Sequence, residues 1–219
     1  MAIEKYIDYI DDPNDTYEEY LEKAKKYNFR CVFCDGKDPD SYQKGLEILK
    51  GTDIILAGAI DFPEGVMSLE EKMKDFEKMA AIGVPEIDYV LNQKAVESRD
   101  FETIEKEMTT IAEFCRKNKI KDKVIVEMCK LDGDEEAKRK VCEIALKAKP
   151  VYLKTSTGRS FKGADLNDVK LMKSILKDAV KIKAAGGIHN YEEAKAFIDA
   201  GASALGASAG IAIVEGEPK

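Results

Sequence analysis

Short runs rich in β-branched and aliphatic residues recur along the chain, each followed by a longer charged stretch with helical periodicity. That alternation constrains the fold more than any other feature. It implies βα units, and βα units require a parallel sheet covered by helices. The strand segments fall near 5–10, 28–34, 53–60, 86–92, 122–128, 150–155, 179–184 and 203–206. Helices fill the intervals. Thr16 with Glu19 and Ser68 with Glu71 form capping-box pairs ahead of apolar periodicity. Residues 99–118 carry Phe101, Ile104, Met108, Ile111, Ala112 and Cys115 at helical spacing. Further helices are predicted near 40–50, 134–148, 165–177 and 191–200, the last capped by Asn190 with Glu193. Eight strands with their helices in 219 residues predict an α/β protein, a single (β/α)8 barrel (TIM barrel) over 1–219. A doubly wound open sheet is the runner-up, but no glycine-rich phosphate fingerprint follows the first strand. Residues 215–219 read as a mobile tail.

Charge excludes some partners. With 35 Lys and Arg against 42 Asp and Glu, the net charge is −7. A basic face for nucleic acid or a polybasic membrane patch is therefore not expected. A local cationic pocket for a small anion remains compatible with an acidic body. No apolar run is long enough to span a bilayer, and the N-terminal residues lack a secretory pattern, so the expected compartment is cytoplasmic. Five cysteines without an export signal read as reduced thiols. Cys31 and Cys34 form a C-x-x-C, but no second pair or histidine cluster completes a metal shell, and no metal is expected. With His189 the sole histidine, a Ser-His-Asp or Cys-His enzyme would depend on it alone.

In a barrel, chemistry belongs at the C-terminal ends of the strands. Side-chain alternation in Val151-Tyr152-Leu153-Lys154 turns Tyr152 and Lys154 inward. The same parity in Val180-Lys181-Ile182-Lys183 sends Lys181 and Lys183 inward. Two lysines level with each other on neighbouring strands depress each other's basicity, and partial burial adds to this. A neutral amine is what a Schiff-base nucleophile needs. The plainer reading of either lysine is a solvated strand end. On the fourth strand Glu86, Asp88 and Val90 share a face, so Asp88 either handles protons or pairs with the lysines. Glu127, ending the fifth strand, reads as a structural partner of a lysine. Gly186-Gly187 and Gly206-Ala207-Ser208-Ala209-Gly210, the latter leading into a short helix, suit a phosphate. Two charged segments, Glu70-Glu71-Lys72-Met73-Lys74 and Glu135-Glu136-Ala137-Lys138-Arg139-Lys140, read as solvated helix faces with i,i+4 pairs.

Lys154-Thr155-Ser156-Thr157-Gly158 resembles the Schiff-base motif of the deoxyribose-phosphate aldolase family. Glu86-Ile87-Asp88-Tyr89-Val90 is similar to its E-[IV]-D-x-V segment, and Phe62-Pro63-Glu64-Gly65 to its F-P-x-G loop. Lys183-Ala184-Ala185-Gly186-Gly187-Ile188 and Gly206-Ala207-Ser208 resemble its K-x-[AS]-G-G-[IV] turn and final phosphate loop. The order and spacing agree over nearly the whole chain. The resemblance implies a class I aldolase that reversibly cleaves 2-deoxy-D-ribose 5-phosphate to D-glyceraldehyde 3-phosphate and acetaldehyde. Lys154 would form the imine, Lys183 would tune it and Asp88 would assist proton transfer. Arg159, Gly186, Gly187 and Ser208 would contact the phosphate, with Asp8, Thr157, Gly158 and Gly206 also on the substrate side. No cofactor is implied, and family members are often dimers or tetramers. Some positions depart from the pattern. The first strand keeps Asp8 but lacks the usual Thr and Leu after it. Asp61 replaces the commoner glycine or asparagine, Cys34 stands where proline is frequent, and His189 takes the place of Arg or Lys. Two other readings stay open: a class I aldolase for a different phosphorylated sugar or ketose, and a non-catalytic barrel that binds a phosphometabolite.

Overall fold

Each strand segment pairs in parallel with the next, and the eighth returns to the first, closing the sheet. The computed structural model describes residues 2–36, 38 and 40–218. The strands are β1 Ile7–Tyr9, β2 Cys31–Phe33, β3 Ile55–Ile60, β4 Glu86–Val90, β5 Lys121–Ile125, β6 Tyr152–Lys154, β7 Lys181–Ala185 and β8 Ala204–Ala207. The helices are α1 Tyr17–Tyr27, α2 Ser41–Ile48, α3 Leu69–Ala81, α4 Gln93–Ser98, α5 Phe101–Asn118, α6 Glu135–Ala148, α7 Leu166–Leu176, α8 Tyr191–Asp199 and α9 Gly210–Glu215. This is the (β/α)8 barrel that the alternation predicts. Asp8 lies level with Gly206 across the closing seam, and Lys154 level with Lys183.

Local chemistry starts the helices where the sequence places them. Thr16 and Ser68 accept from the backbone N–H of Glu19 and Glu71, whose carboxylates reach back to the capping residues. Asn190 caps α8 through the Glu193 N–H at 2.9 Å. The outward faces of the strands, including Val32, Ile87, Tyr89, Val124, Leu153, Ile182 and Leu205, are buried under these helices. Phe76 of α3 meets Tyr89 edge-on at 5.5 Å and Phe114 of α5 at 6.2 Å.

Several boundaries move. Residues 3–6 form a 3-10 turn before β1, and α4 is an additional short helix. β5 ends at Ile125, because Glu127 takes a left-handed conformation with φ +64° and starts a 3-10 turn. Glu215, expected at the start of a mobile tail, ends α9 and accepts a bond from the Tyr27 hydroxyl at 2.5 Å. The tail's last residue, Lys219, lies outside the described residues. The two charged segments are solvated only in part. Glu70–Lys74 and Glu135–Arg139 are i,i+4 pairs, but Lys72 is fully buried and Lys138 pairs with Asp132 and Asp168.

One carboxyl in the helix-facing layer opposes folding at neutral pH. Asp122 of β5 is buried beside Tyr89, Cys115 and Arg116, and its Oδ1 accepts the Val151 N–H at 2.9 Å. Its Oδ2 has no partner among the described residues. Burial pushes the carboxyl up to about 6. A raised folded-state value means the protonated form favours folding. The contribution is present below about pH 4 and lost as pH rises through 6. Ionised Asp122 therefore costs on the order of 3 kcal/mol at pH 7.5. Asp122→Asn keeps the acceptor and removes the charge. Urea titration is expected to show a gain of about 1–3 kcal/mol at pH 7.5 that falls to about a third of its size at pH 4.5. An equal gain at both pH values would contradict this account.

Candidate active site

Side-chain alternation turns Glu86 and Asp88 of β4, Lys123 of β5, Lys154 of β6 and Lys183 of β7 into the barrel, where Asp8 of β1 joins them. All are buried. Lys154 Nζ donates to Asp88 Oδ2 at 2.8 Å, and Lys183 Nζ donates to the same oxygen at 2.8 Å. Lys183 also lies 2.6 Å from Asp8 Oδ2. Lys123 Nζ stands 3.0 Å from Asp88 Oδ1, 2.9 Å from Glu86 Oε2 and 3.4 Å from Asp8 Oδ2. At the N-terminal end of the barrel Arg30 Nε donates to Asp8 Oδ1 at 2.7 Å, and its guanidinium reaches Glu86 at 3.1 Å. The Phe33 ring lies 5.0 Å from Lys183 Nζ and 5.5 Å from Lys123 Nζ. Phe62 stands 5.6 Å from Lys154 Nζ.

These neighbours sort the ionisation states. Burial alone would push Asp88 up. Lys123, Lys154 and Lys183 outweigh it and hold the carboxyl well below the ordinary range. Asp8 is held low in the same way, chiefly by Lys183 against burial. Lys154 goes the other way. Burial pushes its amine down to about 8; Asp88 opposes this and Lys183 adds to it. The sequence reading gives the leading part to the Lys183 ammonium. In the structure burial leads, and both amines share one Asp88 oxygen.

The loops above the barrel form a rim. Ser156 Oγ donates to the Ala185 carbonyl at 2.8 Å, and the Ala185 N–H donates to Thr155 Oγ1 at 3.2 Å. These bonds stitch the loop after Lys154 to β7. The Thr157 N–H donates to the Glu127 carboxylate, and Thr157 Oγ1 accepts from the Arg159 N–H at 3.0 Å. Glu127 thus departs from the expected lysine partner: it carries the turn and accepts a Cys129 thiol contact at 3.5 Å. Gly186 lies against Gly158 and Gly163, where a Cβ would come within 2.8 Å of the Gly158 Cα. At Gly206 a Cβ would meet Ala185 at 2.9 Å and the Lys183 stem at 3.4 Å, so the gap beside that lysine requires glycine. Gly158, Arg159, Gly187 and Ser208 are exposed. No carboxylate pairs with Arg159 among the described residues. His189 points outward, with Nδ1 3.3 Å from Glu193.

A deoxyribose-phosphate aldolase of Lactobacillus acidophilus is 41% identical over 198 residues, covering 90% of this chain and 81% of that protein. The chain belongs to the deoxyribose-phosphate aldolase family. A second member, from Aciduliprofundum boonei, is 38% identical over 96% of this chain and 95% of its own length. Among solved structures, the tetrameric deoxyribose phosphate aldolase of Aeropyrum pernix superposes with a TM-score of 0.83 at 26% identity. That match covers 97% of this chain and 89% of the other. No family model matches the chain.

The family motifs account for Lys154, Lys183 and Asp88, which the fold brings to one oxygen. They leave out Lys123 and Arg30, which pair with Asp8 and with Glu86, the first residue of the E-[IV]-D-x-V segment. For Lys123 the signal is present: Val124 and Val126 face outward, so Lys123 and Ile125 face in. Cys31, the first cysteine of the C-x-x-C, sits inside with its Sγ 3.9 Å from Lys123 Nζ, and burial pushes its thiol up to about 12.

Proposed function

We propose that this chain is a class I aldolase that reversibly cleaves 2-deoxy-D-ribose 5-phosphate to D-glyceraldehyde 3-phosphate and acetaldehyde. One observation carries the reading: the Lys154 amine is buried opposite Asp88 and held down to about 8. A substantial neutral fraction then exists near neutral pH. The neutral amine adds to C1 of the open-chain sugar, and loss of water gives an iminium. The C3 hydroxyl gives up its proton, the C2–C3 bond breaks, and its electron pair becomes the enamine. Glyceraldehyde 3-phosphate leaves with C3 as its aldehyde carbon. Protonation of the enamine at C2 and hydrolysis release acetaldehyde and restore the amine.

Asp88, kept ionised, is a weak base on its own, so its part is to face the iminium charge and relay protons through water. Lys183 and Lys123 hold that carboxylate in place, and Asp8 holds Lys183. Arg159, with the backbone of Gly158, Gly186, Gly187, Gly206 and Ser208, takes the phosphate on the rim, and Thr157 orients Arg159. The reading includes a cytoplasmic enzyme that assembles as a dimer or tetramer. No helix among the described residues is long and apolar enough to cross a membrane.

Borohydride added with deoxyribose 5-phosphate tests it. A stable adduct on Lys154, located by peptide mass mapping, is expected. Its rate of formation is expected to rise about tenfold per pH unit below 8 and to level off above. No adduct on the wild-type protein at any pH would overturn the reading.

A further inference from the structure

A second set of buried charges lies outside the barrel interior. Lys72 of α3 is fully buried among three acceptors from three other parts of the fold. Its Nζ donates to Glu107 Oε1 of α5 at 2.5 Å and to the Val90 carbonyl at the end of β4 at 2.6 Å. It also stands 3.2 Å from Asp61 Oδ2, just past β3, and both carboxylate side chains are 3% exposed. Glu107 spends its second oxygen on the Asn92 N–H at 3.0 Å. Asp61 spends its carboxylate on the Val66 and Met67 N–H groups at 3.0 and 2.9 Å, and its carbonyl on Gly65 N–H at 3.0 Å. The loop 61–67 is therefore clasped by Asp61, and Asp61 is clasped by Lys72. A further bond, from Gln93 N–H to the Gly65 carbonyl at 2.8 Å, ties the loop to α4.

The residue beside Asp61 is Phe62, whose ring centroid lies 5.6 Å from Lys154 Nζ. We propose that Lys72 is a positioning residue: by holding Asp61 against Glu107 it lays the Phe62 ring over the Lys154 amine and screens that face from water. The inference rests on Lys154 being the imine-forming group. Asp88 from β4, Lys123 from β5 and Lys183 from β7 are the charges that face this amine, and Asp8 from β1 pairs with Lys183. None is altered by loosening the loop. Burial is the larger influence on the amine, so admitting water outweighs the loss of the ring's attraction for its charged form.

The test is the pH midpoint of borohydride trapping of acetaldehyde on Lys154, in wild type, Phe62→Ala, Asp61→Asn and Lys72→Met. Circular dichroism checks the fold. Each variant is expected to raise the midpoint by about one unit, slow trapping at pH 7 about tenfold and approach the wild-type rate at pH 10. Lys72→Met leaves two carboxylates buried without their cation. Where it does not fold, Asp61→Asn, of nearly unchanged shape, decides. A folded Asp61→Asn with the wild-type midpoint overturns the proposal, as does an unmoved midpoint in Phe62→Ala. Failure of the wild type to trap at any pH would instead remove the imine reading, and this inference with it.

Discussion

Lys154→Met is expected to lower kcat/KM for deoxyribose 5-phosphate cleavage by at least about 10⁴-fold, because it removes the proposed nucleophile, through which both halves of the proposed reaction pass. Release of glyceraldehyde 3-phosphate, coupled to a reporter dehydrogenase, measures it. The change should leave binding of inorganic phosphate nearly untouched, since Arg159 and the glycine loops lie on the rim. Retention of even a hundredth of the wild-type rate would point to another nucleophile.

Asp88→Asn separates two effects that are usually lost together. The carboxylate faces Lys123, Lys154 and Lys183, so replacing it leaves three ammonium groups around a neutral amide. Unfolding by urea should come about 3–5 kcal/mol more easily. Turnover should fall by about 10²–10⁴-fold through loss of the proton relay and of the charge facing the iminium. Trapping should move in the opposite direction. Asp88 is the group that raises the Lys154 basicity against burial, so its removal lowers the midpoint and speeds adduct formation at pH 7. A variant that traps more slowly at pH 7, though folded, would show that Asp88 is needed to form the imine and not only to use it.

The barrel and its inward-facing lysine pair are legible in the sequence for one physical reason. A strand with helices outside and a filled interior shows each face in alternate residues, and Lys154 and Lys183 fall on the inner parity. What the sequence hides depends on reach and on neighbours far away in the chain. Arg30 precedes β2, and only its long side chain brings the guanidinium to Asp8 and Glu86. Lys72 lies in a charged helical stretch that looks solvated, and its burial becomes visible only once α5 and the loop after β3 are placed. Lys123 is the instructive case. Strand alternation in the segment 122–128 alone assigns it to the interior, but no motif singles it out. Glu127 breaks the pattern because its backbone turns left-handed, a change with no local sequence signal.

The barrel interior holds four cationic side chains, Arg30, Lys123, Lys154 and Lys183, against three carboxylates, Asp8, Glu86 and Asp88. Lys121 adds a further cation at the N-terminal mouth, 3.2 Å from Glu86 Oε1, so with every group ionised the cations around these carboxylates outnumber them. Of the four, Lys154 has the fewest carboxylate contacts, a single one. Its deprotonation gives up one ion pair and relieves the excess of positive charge, whereas loss of a proton from Lys123 would strand acids that depend on it. The resting state and the iminium then differ by the one charge that this enclosure can gain or lose with its remaining ion pairs intact. The number of ion pairs each amine must hold thus picks out which of several buried amines can most easily give up its proton.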